Sequence, residues 1–202
     1  MASLAIPAAC FRDTFLAGAR EFAGEGRLDS TYCVGLGYSL EGLKPRYLEF
    51  VRDLVALGDP ARLRPGRYLD QVRWLAEADE YLGQISIRPE LGTEYLLAYG
   101  GHIGYSIRPS RRRQGFGTQA LTLALEAAAS LGLRRVLVTC DSDNLGSRLI
   151  IERNGGIYER ALTMPARAFQ AEGRPPRPGV TKLRYWIDLV LRQEASADDA
   201  RS

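Results

Sequence analysis

The chain has 202 residues, 46% of them apolar and 25% charged, with a formal net charge of +3. This is the material of a single ordinary domain with a real core, and too little net charge for a strong nucleic-acid or membrane field. Cys10, Cys33 and Cys140 have no metal or redox spacing and are odd in number, which points to a reducing, cytoplasmic compartment. The first residues lack the pattern of a signal peptide, and no apolar run reaches the ~18 residues of a membrane span.

In chain order, residues 2–6 suggest a short strand. Residues 8–24 suggest a helix, because Phe11, Phe15, Ala19 and Phe22 recur every three to four positions. Residues 25–43 are glycine-rich and irregular. A second amphipathic helix is predicted over 45–57, with Tyr47, Leu48, Val51, Leu54 and Val55 on its apolar face, stopped by Gly58-Asp59-Pro60. After a loop over 60–69 comes a hairpin, Gln71–Ala76 and Tyr81–Arg88, with its turn at Glu77–Glu80. Residues 90–99 read as a helical turn or loop, and 101–108 as a strand ended by Pro109.

A long Ala/Leu helix follows over 115–131, stopped by Gly132. Residues 134–140 form a nearly unbroken apolar strand, the mark of a strand covered on both faces. Asp143 or Asn144 caps a helix that runs to about Asn154, and Gly155-Gly156 closes it. Strands over 157–163 and 182–191 flank a Pro/Gly/Arg loop at 165–179, and the tail at 193–202 is polar and expected to be disordered. The order predicts one α/β domain over 1–192, a mixed sheet flanked by helices, built around a right-handed strand–helix–strand unit.

The densest signal is Arg111-Arg112-Arg113-Gln114-Gly115-Phe116-Gly117-Thr118, between that strand and the long helix. Glycines permit close backbone approach to an anion. The first N–H groups of a helix have no partner within it and lie at the positive end of its dipole. Arginines add planar donors that suit phosphate. The bland alternative is a basic surface turn with glycine for geometry only. A nucleotide-binding P-loop is excluded because no Gly-Lys-Ser/Thr follows. The run from Gly115 to Ala120 formally matches a dinucleotide fingerprint. But Pro109–Gln114 separate it from the strand end, and the acidic residue expected downstream is represented only by Asp141 at a longer spacing.

A third pattern fits throughout. Ile107-Arg108-Pro109, followed by Arg112-x-x-Gly115-x-Gly117, resembles motif A of the GNAT superfamily of N-acetyltransferases. Downstream, Asn144-x-x-Ser147-x-x-x-Ile151-x-Arg153-x-Gly155 resembles that family's second motif. The resemblance is clear over about 101–160, and the remainder agrees in element order.

The resemblance implies an acyl-CoA N-acyltransferase fold with a mixed, mostly antiparallel sheet. It also implies acetyl-CoA as co-substrate, with no metal. The cofactor would lie where the strands at 101–108 and 134–140 part, its pantetheine amides pairing with backbone near Tyr105 and Ile107. Its pyrophosphate would sit on the amides of Arg113, Gln114, Gly115, Phe116, Gly117 and Thr118, with charge from Arg112 or Arg113. Asn144 would bond the pantetheine or simply cap its helix, and Ser147 matches the family's small residue.

The implied reaction is transfer of acetyl to a primary amine in a ternary complex, with a small-molecule or peptide acceptor. Neither nucleic acid nor membrane is an expected partner, and a homodimer is allowed for. The chain departs from the pattern at Ile151, where the family often carries a tyrosine that protonates the leaving thiolate. His102, the sole histidine, titrates in a useful range, but alternation sets it on the strand face opposite Tyr105 and Ile107, as a structural histidine would be. Glu94 and Tyr185 are the other candidates for proton transfer. The missing phenol also fits a CoA-binding module without catalysis. A nucleic-acid binder would need a broader basic face than Arg111–Arg113.

Overall fold

Apolar alternation and turn residues build a seven-stranded sheet around which the helices pack. In the computed structural model, residues 1–63, 68–166 and 177–190 are described. The strands are β1 (Ser3–Ala5), β2 (Gln71–Glu77), β3 (Glu80–Ile87), β4 (Ile103–Ile107), β5 (Arg135–Asp141), β6 (Ile157–Thr163) and β7 (Thr181–Asp188). The helices are α1 (Arg12–Gly24), α2 (Leu40–Leu43), α3 (Tyr47–Ala56), α4 (Phe116–Ser130) and α5 (Leu145–Arg153). The sheet order is β1-β2-β3-β4-β5-β7-β6. Every pairing is antiparallel except β4 with β5, which α4 connects.

The period-two pattern divides the sheet into two faces, each with its own core. One is built from Leu75, Leu82, Ile85, Ile103, Val136, Val138 and Tyr185 against Ala120, Leu121, Ala124 and Leu125 of α4 and Ile151 of α5. The other packs Val72, Trp74, Ala76 and Tyr81 against Phe15, Leu16 and Ala19 of α1 and Tyr47, Phe50 and Leu54 of α3. Phe15 stacks on Trp74 with ring centroids 4.7 Å apart. Burying aromatic side chains of this size contributes roughly 1.5–3 kcal/mol each, which ties α1 and α3 firmly to the sheet.

The elements follow the predicted order, with differences at their edges. The buried stripe of α3 is Tyr47, Phe50 and Leu54; Leu48 and Val55, assigned to the apolar face from spacing, are exposed. The glycine-rich stretch over 25–43 contains short helical turns at Leu28–Thr31 and Val34–Leu36 as well as α2. The strand predicted from residue 101 begins at Ile103, because Gly101 takes a left-handed φ of 72° that breaks the pleat. A turn of π-helix, Leu96–Gly100, leads into it. The tail predicted at 193–202 and most of the loop at 165–179 lie outside the described residues. No described helix is long and apolar enough to cross a membrane.

Candidate active site

The site begins where β4 and β5 separate. Their register contains one pair, Ile103 opposite Val138, next to a bond from the His102 amide to the Leu137 carbonyl (2.8 Å). On its other side β4 is fully paired with β3, from Ile87–Ile103 to Gly83–Ile107. The bonds from the Arg88 amide to the His102 carbonyl and from the Arg108 amide to the Leu82 carbonyl fix the alternation. Even-numbered residues of β4 therefore turn their backbone groups to β3, and odd-numbered ones turn theirs towards β5. Beyond Ile103, β5 has departed, and the backbone of Tyr105 and Ile107 faces an open edge. The Arg112 Nε donates to the Ile107 carbonyl (3.1 Å).

Above this edge stands the N-terminus of α4. Gly115, at a left-handed φ of 84°, is its N-cap, and no side chain caps it. The first helical bond runs from the Gln119 amide to the Gly115 carbonyl, which leaves the amides of Phe116, Gly117 and Thr118 without helical acceptors. Arg113 is also left-handed, with φ 62°. Left-handed residues alternating with the one between them turn successive N–H groups inward, the kind of array that accepts an anion. The two glycines have different roles. Gly115 supplies the φ that L residues rarely adopt, and a Cβ there would meet nothing within 4 Å. A Cβ on Gly117 would lie 2.6 Å from Ile150 Cδ1, so Gly117 also admits α5 close to α4.

The three arginines separate equally clearly. Arg111 is bound to Glu80 (2.6 Å). Arg112 makes a two-pronged pair with Glu25 (2.8 Å on each prong). Both fasten the loop to neighbouring elements, and the charge expected of Arg112 is offset by Glu25. Arg113 is exposed and makes no ion pair with any described residue. Gln114 donates to the Ser110 carbonyl (3.2 Å).

Across the opening, Asn144 caps α5 by accepting from the Ser147 amide (3.0 Å). The Ser147 hydroxyl lies 2.9 Å from the phenol of Tyr105, which reaches over from β4. Burial raises the Tyr105 phenol above its ordinary range, and the Ser147 bond counters part of that shift. Ser147 and Ile151 are one turn apart on α5, and Ile151 is wholly buried. The hydroxyl that the family motif places on α5 is therefore absent at 151, while a phenol arrives one turn earlier from β4.

The structure does not gather the three candidates for proton transfer. His102 Nδ1 accepts from the Leu137 amide (2.9 Å), filling the bond that β5 loses as β4 turns away. Burial, reinforced by the charges of Arg88 and Arg135, pushes its pKa down to about 4. It is a neutral residue holding the start of the gap. Tyr185 is buried in the core, and its hydroxyl donates to Glu152 (3.3 Å). Glu94 is exposed just ahead of the π-helical turn. None of the three lines the cleft described next, whereas Tyr95 and Tyr99 do.

From Tyr105 and Ser147 the gap opens to the other face of the sheet as a cleft of about 1010 Å³, lined there by Thr139 and Asp141 of β5 and by Gly104 and Ser106 of β4. At its far side lies a cluster that the sequence reading missed. Asp70, 2% exposed, accepts from the Ser86 and Tyr32 hydroxyls and lies 3.4 Å from Arg88 Nε. These residues come from the loop after α1, the entrance to β2, and β3, so no local motif announces them. A faint signal existed: Gln84, Ser86 and Arg88 are polar at alternate positions of a strand whose other residues are mostly apolar. Buried polar side chains of this kind require partners.

An acetyltransferase (GNAT) domain model matches residues 50–157. No curated protein matches the chain in sequence. Solved structures share the fold. An acetyltransferase from Salmonella typhimurium that modifies the N-terminal serine of ribosomal protein L7/L12 superposes with a TM-score of 0.61 at 18% identity, covering 93% of this chain and 94% of that one. RimL in complex with coenzyme A gives 0.60 at 19%, covering 93% of each chain. The microcin C7 self-immunity acetyltransferase MccE, in complex with acetyl-CoA and AMP, gives 0.60 at 13%, covering 93% and 92%.

Proposed function

The chain belongs to the GNAT acetyltransferase family and is an acyltransferase, and we propose that it transfers acetyl from acetyl-CoA to a primary amine in a ternary complex. The observation that carries this reading is the open edge of β4 at Tyr105 and Ile107 below the uncapped first turn of α4. An extended chain bearing amides would complete the sheet there as an added strand does. A pyrophosphate would accept from the amides between Arg113 and Thr118, with Arg113 as the nearby cation. Neighbours of the same fold bind acetyl-CoA or coenzyme A, which supports this assignment.

In the proposed reaction the neutral amine nitrogen attacks the thioester carbonyl carbon. A C–N bond forms, the C–S bond breaks, the nitrogen loses a proton and the departing sulfur gains one. An α-amino group has a pKa of about 8, so a useful neutral fraction exists without a dedicated base. The hydroxyls of Tyr105 and Ser147, which line the gap, are the protein donors available to the thiolate. Asn144 serves as the α5 cap that holds Ser147 in place.

Calorimetry with acetyl-CoA, followed by thiol release over a panel of amines, tests the reading. Micromolar-range binding with turnover of at least one amine is expected. Binding with no turnover on any amine would favour a CoA-binding module without catalysis, the reading that Ile151 suggests. No binding would remove both.

A further inference from the structure

The polar cluster at the far side of the cleft has capacity to bind beyond its internal bonds. Arg88 carries five N–H donors. One Nη1 donor goes to the Gly101 carbonyl (3.2 Å) and Nη2 reaches the Tyr32 oxygen only at 3.5 Å. Its buried Nε is ion-paired with Asp70 at 3.4 Å without making a hydrogen bond. The Asp70 carboxylate can accept about four hydrogen bonds and receives two from hydroxyls. Gln84, beside them in the same wall, is by contrast bonded at both ends, to Trp74 and to the Ser30 carbonyl.

Two features bind this cluster to the reaction site. Gly104 has no side chain, and a Cβ there would sit 3.6 Å from Arg88 Nη2. The guanidinium therefore lies against β4 next to Tyr105, the residue at the open edge. Tyr32, which carries the phenol, is held at a left-handed φ of 64°. A non-glycine residue is strained there, and such strain clusters at ligand-binding sites.

We infer that this recess binds the acceptor and selects amines that carry a carbonyl or carboxylate on the adjacent carbon. The amine N–H would rest on the Asp70 carboxylate and the Tyr32 oxygen, and the acceptor's oxygen would take the remaining Nη donors of Arg88. The charges of Asp70 and Arg88 cancel, so neither a simple cation nor a simple anion is favoured. A ligand with donor and acceptor side by side matches both. Free amino acids and the N-terminal residue of a peptide share this chemistry.

The inference rests on the acetyltransferase reading, and the test separates the two. Acetyl-CoA binding is measured first by calorimetry. Thiol release is then compared for alanine, alaninamide, a tripeptide with a free N-terminus, and sec-butylamine, an amine of similar size without the oxygen. At least tenfold higher kcat/KM is expected for one or more of the first three over sec-butylamine. Which of the three leads tells a free amino acid from a peptide terminus. In Arg88→Lys, which keeps the charge but loses the planar fork, this preference should fall at least fivefold with acetyl-CoA affinity unchanged. Ser86→Ala, a milder change, should lower it in the same direction. Intact acetyl-CoA binding with equal or better use of sec-butylamine, with no turnover of the first three, or with the preference preserved in both folded variants, would overturn the recess assignment. Loss of acetyl-CoA binding in the unaltered protein would overturn the functional reading, and this inference with it.

Discussion

At one end of the cleft the groups on offer are backbone ones: the edge of β4 at Tyr105 and Ile107 and the first turn of α4. At the other they are side chains, the buried Asp70 and Ser86 with the partly buried Tyr32 and Arg88. A backbone site depends on the path of the chain, and it tolerates changes of side chain that keep the path. A side-chain site depends on each group having its partner, and losing one leaves another uncompensated in a poorly hydrated place. The two ends should therefore fail differently under mutation.

The largest effect is expected at the side-chain end. Asp70→Ala leaves Arg88, whose side chain is 12% exposed, without a counter-charge, and breaking such a pair costs about 3–5 kcal/mol. Urea unfolding should register a loss of that size. A loss under about 1 kcal/mol would mean that the cluster is as tolerant as the backbone end.

At the backbone end, Gly115→Val should weaken acetyl-CoA binding at least tenfold, about 1.4 kcal/mol, because it both opposes the left-handed φ and adds bulk above the free amides. Calorimetry on the folded variant checks this. Gly117→Val should do the same, partly by pushing α5 away through Ile150. Unchanged affinity in both would detach the glycine pair from the cofactor.

His102 stands at the join between the two ends. His102→Ala removes the acceptor of the Leu137 amide and should cost about 1–3 kcal/mol, with turnover retained within a few-fold. Folding lowers the His102 pKa from 6.5 to about 4, so the folded state resists protonation. The stability linked to this residue is whole above pH 6.5 and drains away as pH falls through 4. Unfolding of the unaltered protein should therefore become easier between pH 6.5 and 4, and more steeply than in His102→Ala. Parallel curves would show that another group dominates.

The smallest effect sharpens the comparison within the arginine run. Arg113→Ala should weaken acetyl-CoA binding two- to threefold, an effect that fades with added salt. Arg112→Ala should leave that affinity nearly unchanged and lower stability by at most about 1 kcal/mol, as expected of an exposed pair. The reverse order would make Arg112 the phosphate ligand despite Glu25.

The same contrast explains what the sequence could reveal. The proposed cofactor end is legible because it is local: Gly115-x-Gly117 before an Ala/Leu helix and Asn144-x-x-Ser147 at a helix start each lie within one turn of chain. The strand–helix–strand core was equally legible from period and stop signals. The proposed acceptor end is assembled from residues 32, 70, 86 and 88, whose proximity depends on the β2–β3 register and on the packing of α1 against the sheet. His102 was legible as a residue on the opposite strand face, but its bond to Leu137 was not, because it arises only where β4 and β5 diverge. The phase of α3 is ambiguous from spacing at Leu48 and Val55 because apolar residues come in adjacent pairs, 47/48, 50/51 and 54/55, so either member can face the sheet.

The central claim is that the open edge of β4 receives acetyl-CoA as an added strand. Residue-resolved amide hydrogen exchange, with and without saturating acetyl-CoA, tests it directly. The Tyr105 and Ile107 amides face the gap, and their exchange should slow at least tenfold on binding, while the Gly104 and Ser106 amides, which face β3, should change little. Binding that leaves Tyr105 and Ile107 exchanging as before would contradict the claim, wherever else the cofactor were found to sit.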